Sequence, residues 1–124
     1  KPKSVRQDLA AVFIPSAYVE DPRQRITAYR MLGEVMTRKE LDALERDWRD
    51  QFGTPPAAVE NLICCAALKM AAAHAGVSDL EIKDNKLMIT KNGRYLQPGG
   101  KFPRLTAQEP ALLLRESLQL LRSL

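Results

Sequence analysis

The sequence predicts a single α+β domain: three to four helices packed on a small antiparallel β-sheet, a meander of short strands. Three observations carry that expectation. Up to about residue 75 apolar side chains recur at helical spacing. Beyond it the period changes to alternation, with Leu80, Ile82, Leu87, Ile89, Tyr95 and Leu96 as the apolar positions. Among them lie Asp84-Asn85 and Asn92-Gly93, two dipeptides suited to tight hairpin turns.

Taken in order, Leu9 to Ile14 is apolar with β-branched members and runs into Pro15, which suits a short strand. Asp21-Pro22 reads as a helix cap and first helical position, followed by a stripe of Ile26, Tyr29, Leu32 and Val35 or Met36. Thr37-Arg38-Lys39-Glu40 is a capping box for a second helix, whose inner face is Leu41, Leu44, Trp48 and Phe52. Tyr29 is expected to join Trp48 and Phe52 in the core. Gly53 supplies a left-handed stop, and Pro55-Pro56 pre-sets the next helix, an Ala- and Leu-rich segment that Gly76 ends. After the hairpins comes a Pro/Gly loop from Gln97 to Lys101, with Phe102 to Leu105 a candidate last strand. Thr106-Ala107-Gln108-Glu109 reads as a second capping box, opening a final helix with Leu112, Leu113, Leu120 and Leu121 inward.

Bulk properties bound the function. A chain of 124 residues can build a core without disulfides or a metal. Its net charge of +4 permits loose attraction to polyanions and specifies no ligand. No apolar run approaches bilayer length and no signal peptide is present, so no membrane partner is expected. The chain starts at Lys1 rather than Met, which suggests a processed product or a piece of something larger. Residues 1–8 are expected to be a linker remnant and 9–124 the domain. Cys64-Cys65 are adjacent and poorly placed to pair, which fits inert thiols in a reducing cytoplasm.

Catalytic constellations are missing. His74, the single histidine, sits among alanines near a helix end and lacks a Gly-x-Ser-x-Gly partner motif. Cys64, Cys65 and His74 do not have zinc-site spacing, and Gly99-Gly100-Lys101 lacks the frame of a phosphate loop. No catalytic residue, metal ligand or cofactor is therefore expected. Asp47 and Asp50 share a helix face with Gln51, either as solvated surface or as a charged docking patch. Lys83, Lys86, Lys91, Arg94 and Lys101 cluster near Tyr95 and Phe102 around the hairpins. That pattern suits a small nucleic-acid-binding module over residues 83–101, although lysines also protect sheet edges.

Two blocks carry a family resemblance. Asp50-Gln51-Phe52-Gly53 with Pro56 resembles the Asp-Arg-Phe-Gly-x-x-Pro pattern of the C-terminal domain of the bacterial transcription-repair coupling factor. Upstream, Ile14-Pro15, Tyr18-Val19, Asp21, Arg25 and Tyr29 resemble the family's Ile-Pro, Tyr-Ile, Asp, Arg-Leu and Tyr. The likeness is good over residues 9 to 90 and weaker beyond.

The resemblance implies a regulatory module of a DNA translocase that displaces stalled RNA polymerase and recruits nucleotide-excision repair. ATP and Mg would be used in other domains of that parent. In the family this domain clamps the parent's UvrB-like N-terminal module and masks the surface that recruits UvrA; polymerase engagement releases it. The family's clamp face falls here on Asp47, Asp50 and Gln51, with Asp21, Arg25, Tyr29, Phe52, Gly53 and Pro56 as structural positions. Gln51 stands where the family has arginine, so the cation is lost. A stand-alone scaffold that kept the fold without its partner is a further alternative.

Overall fold

A computed structural model describes residues 11–107 and 109–123. Among the described residues, four α-helices and a three-stranded antiparallel sheet make the chain α+β, as the sequence predicts. The chain divides into two compact units, residues 11–70 and, among the described residues, 71–123. Residues 1–8, expected to be a linker, lie outside the described residues, as do Leu9 and Ala10.

In the first unit, helix α1 (Pro22–Glu34) starts where Asp21 accepts a hydrogen bond from the Arg23 N–H at 2.9 Å and Pro22 needs no donor partner. Helix α2 (Arg38–Phe52) opens on a complete capping box between Thr37 and Glu40, and buries Leu41, Leu44 and Trp48. Helix α3 (Ala57–His74) buries Val59, Asn61, Ile63, Cys64, Ala67 and Leu68. By length and composition alone α3 could cross a bilayer. That corrects the expectation that no segment approaches this length: Glu60, Asn61 and Lys69 interrupt the apolar run, but the helix as a whole stays apolar on average.

Three further expectations fail here. Ala11 to Ile14 forms no strand. Its backbone is satisfied by side chains instead: the Asn61 amide donates to the Ala11 carbonyl at 3.1 Å, and the Ile14 N–H donates to the Tyr29 hydroxyl at 2.7 Å. The buried stripe of α1 is Ala28 and Leu32, whereas Ile26 and Met36 are 68% and 71% exposed. Tyr29 lies at the exposed rim of the helix rather than with Trp48.

Within the second unit, Gly76, with φ 74°, ends α3. Strands β1 (Val77–Lys83), β2 (Lys86–Lys91) and β3 (Arg94–Tyr95) pair in that order. Asp84, Asn85, Asn92 and Gly93 all have positive φ, as two-residue hairpin turns matched to strand twist require. Leu80 and Ile82 face Leu87 and Ile89 across the first hairpin, and all four are buried. Phe102 to Leu105 supplies a single bridge, Lys86 to Arg104, rather than a strand. Its bonds are short all the same: the Leu87 N–H donates to the Pro103 carbonyl at 2.8 Å, and the Leu105 N–H to the Asn85 carbonyl at 2.6 Å.

Helix α4 (Pro110–Ser123) starts later than a capping box at Thr106 would place it. A proline disfavours helical backbone in the residue before it, so Glu109 cannot continue a helix into Pro110. Thr106 and Ala107 turn instead to Glu116, whose carboxylate accepts from both backbone N–H groups and from the Thr106 hydroxyl, at 2.8–3.1 Å. The inward residues are Leu113, Leu114, Ser117 and Leu121, while Leu112 is exposed.

Three outcomes are expected. Gly53→Val should destabilise the protein by about 1–3 kcal/mol in urea unfolding, because Gly53 has φ 94° and ψ −170°, a conformation nearly reserved for glycine. Gly33→Ala, a helical site with open space around it, should be neutral or stabilising. The third concerns pH. The Ala107 N–H, helped by the Thr106 N–H and hydroxyl, holds the Glu116 carboxyl below its usual range against a smaller opposing effect of burial. That stabilisation is complete above the ordinary glutamate value of about 4.3 and disappears as pH falls through the lowered folded value. Glu116→Gln should therefore lower the melting temperature at neutral pH and lose its penalty in acid.

Candidate functional site

The turn from α2 to α3 joins the end of α2 to one residue distant in sequence, Tyr18. Gly53 donates its N–H to the Arg49 carbonyl at 3.0 Å, closing α2. Its own carbonyl accepts from the Tyr18 hydroxyl at 2.8 Å, and the Trp48 carbonyl lies 3.3 Å from the same oxygen. The Tyr18 ring meets the Phe52 ring edge-on, with centroids 5.7 Å apart. Burial pushes the Tyr18 hydroxyl above its usual range, with Arg49 opposing and Glu45 adding to the shift, so it stays a donor at neutral pH. Gly53 is not the left-handed stop expected from sequence. Its φ is positive but its ψ is extended, which sends the chain straight on into Pro55, which is buried. Pro56 then precedes α3, its carbonyl accepting from the N–H groups of Val59 and Glu60.

The upstream block anchors this turn. Pro15 accepts from the N–H groups of Tyr18 and Val19, folding the segment so that Tyr18 can reach α2. Arg25 donates from one guanidinium nitrogen to the carbonyls of Val19 (2.7 Å) and Glu20 (3.1 Å). Asp21 caps α1, and Tyr29 holds Ile14. Tyr18, absent from the site residues expected from sequence, proves to be the pin. Its place in the Tyr18-Val19 pair was the available signal.

On α2 the charges separate by flank. At about 100° per residue, Leu41, Leu44 and Trp48 form the inner stripe. Arg38, Asp42, Glu45 and Arg49 run down one side, where Arg38 pairs with Asp42 at 3.4 Å and Arg49 with Glu45 at 3.4 Å and Glu60 at 3.9 Å. Such exposed pairs contribute about 0–1 kcal/mol each, but they neutralise that flank. Ala43, Asp47 and Asp50 run down the other, with Gln51 beside them, all exposed. Among the described residues neither aspartate has an ion-pair partner, and Arg46, one turn before Asp50, pairs with neither.

The other sequence candidates are dispersed in space or removed from solvent. The five hairpin cations are not gathered. Lys83 and Lys86 share one sheet face, Lys91 and Arg94 flank the turn at the opposite end, and Lys101 is in the loop. Cys64 is buried and Cys65 half-buried, neither in a disulfide; burial, with Cys64 adjacent, raises the Cys65 thiol, and Lys69 only partly offsets this.

A family model for the TRCF domain matches residues 9–97. The chain belongs to the TRCF domain family. The transcription-repair-coupling factor of Staphylococcus epidermidis is 29% identical over 126 aligned residues, which cover 90% of this chain and 11% of that protein. That of Staphylococcus haemolyticus is 27% identical over 109 residues, covering 78% and 9%. The chain thus spans about a tenth of the length of these relatives. A crystal structure of the C-terminal domain of transcription-repair coupling factor superposes with a TM-score of 0.68 at 19% identity, over 98% of this chain and 95% of that one. The TRCF family fold is therefore established across both units.

Tyr18→Phe should cost about 0.5–1.5 kcal/mol in urea unfolding, the value of one hydrogen bond. Amide exchange at Gly53 should accelerate in that variant. Unaltered exchange would show that the turn holds without the tyrosine pin.

Proposed function

We propose that this TRCF domain is an autoinhibitory clamp, in which the α2 flank bearing Asp47, Asp50 and Gln51 docks on the UvrB-like N-terminal module of the same parent chain. Docking would mask the surface that recruits UvrA until the parent engages RNA polymerase. The observation that best supports this reading is the unpaired acidic flank. Its two carboxylates are exposed and rigidly held beside a pinned turn, while the cations of the other flank are committed internally. Exposed carboxylates of this kind choose partners and speed encounter rather than supply raw affinity.

Gln51 changes the chemistry of such a face. A glutamine cannot reproduce the planar fork that an arginine offers to a carboxylate. The partner surface would therefore be read through Asp47 and Asp50 and would carry cations opposite them. Weak contact suffices, because two modules in one chain meet at a high effective concentration. Moving such a clamp from almost closed to almost open takes about 5.5 kcal/mol, within reach of a large polymerase contact. The domain itself does no chemistry in this reading; ATP and Mg belong to other parts of the parent, in the cytoplasm.

Calorimetric titration of the domain against the UvrB-like module, and UvrA capture by the intact factor, test the proposal. Asp50→Arg should weaken the first at least tenfold and increase the second, with an unchanged melting temperature, since exposed sites tolerate substitution. Unchanged UvrA capture in the intact variant would exclude a clamp on this face.

A further inference from the structure

The outer face of the sheet carries a second polar constellation that the clamp does not use. Lys83 is paired with Lys86 across the first hairpin, and Lys86 is bridged to Arg104 on its other side. Paired residues of an antiparallel sheet project to the same face, so three cations stand in one row across three chain segments. The bonds flanking the Lys86–Arg104 bridge make it the kind of pair whose side chains lie closest. Among the described residues, none of the three has an acidic partner within 4.0 Å. Tyr95, opposite Thr90, shares this face, 55% exposed, with its ring 5.2 Å from the Phe102 ring in an edge-on pair. Two carboxylates share this face on the edge strand β1: Asp79 lies across Thr90 from Tyr95, and Glu81 stands two residues before Lys83, opposite Met88.

Placing like charges opposite one another weakens a sheet, so the row costs stability. Edge protection explains Lys83 on β1, yet Lys86 lies on the central strand, paired on one side by β1 and on the other by β3 and Pro103–Leu105. Cations set beside exposed rings are the chemistry of single-strand recognition, in which phosphates meet the charges and bases stack on the aromatics. We infer that this face binds single-stranded nucleic acid, with Lys83, Lys86 and Arg104 on the backbone and Tyr95 and Phe102 under the bases. The remaining hairpin cations stand elsewhere, and Arg104, not singled out by sequence, replaces them.

Fluorescence anisotropy with a labelled oligothymidylate of about ten nucleotides tests the inference. Binding should fall with salt at a log–log slope of about −2, as three phosphate contacts on a single strand require. Lys86→Thr with Arg104→Thr should weaken binding at least tenfold and flatten that slope to about −0.7. Tyr95→Ala should weaken it about five- to a hundredfold with the slope unchanged. Lys86→Thr alone should raise the melting temperature, since it relieves repulsion. The inference is overturned by absent binding at low salt or by a Tyr95→Ala variant that binds normally. It is equally overturned by polyglutamate competition matching the oligonucleotide, or by a Lys86→Thr variant that melts lower.

Discussion

The helical unit depends on the backbone of Gly53. Its φ of 94° with an extended ψ ends α2 without the usual left-handed curl and directs the chain into two prolines. A side chain at this position would meet no neighbour, so the constraint is conformational rather than steric crowding. Tyr18 then fixes the turn from outside by taking its carbonyl. Everything that makes the α2 flank a defined surface follows. The last turn of α2 cannot fray while Gly53 bonds back to Arg49, so Asp47, Asp50 and Gln51 hold their spacing. Upstream, Pro15, Arg25 and Asp21 serve mainly to deliver Tyr18 to that turn.

Much of this was legible in the sequence where the signal is local. The caps at Asp21 and Thr37, the break at Gly76 and both hairpin turns are short-range chemistry and form as read, whereas Gly53 ends α2 where expected but with an extended ψ instead of a left-handed one. Errors arose where a strong local pattern met a competing neighbour. Ile26 outweighs Ala28 on any hydropathy scale, yet Ala28 is buried and Ile26 is exposed. Thr106 to Glu109 has the right residues for a capping box, but Pro110 forbids the backbone it needs, and Glu116 takes the free N–H groups. The strand expected near residue 11 had hydrogen-bonding groups to satisfy, and Asn61 and Tyr29 satisfied them from far along the chain. Such long-range side-chain partners leave no periodic trace.

Charge is distributed unevenly along the chain. Residues 11–70 carry eight Lys and Arg against nine Asp and Glu, whereas 71–124 carry eight against five. On α2, Arg38 and Arg49 are held in ion pairs while Asp47 and Asp50 are bare; the sheet unit leaves a row of cations bare. A small modest-charge protein gains nothing in stability from either arrangement, since exposed pairs would add a little and like-charge rows subtract. Bare charges of one sign on rigid elements are better explained by partners of the opposite sign.

Shape and charge are separable at the α2 turn, and Gln51 bears on only one of them. The turn geometry depends on Gly53, Tyr18, Phe52 and the buried Trp48, none of which needs a cation at residue 51. Gln51 is exposed and takes no part in those contacts. Replacing a guanidinium there removes a fork of donors and one positive charge from the rim, and leaves Arg46, which pairs with neither aspartate, as the cation one turn before Asp50. The face then becomes more acidic, not merely weaker. A partner that had matched a mixed-sign face would lose one contact, and a partner carrying an extra cation would gain one. The substitution therefore selects among partners of different charge while the pinned turn presents the same surface to all of them.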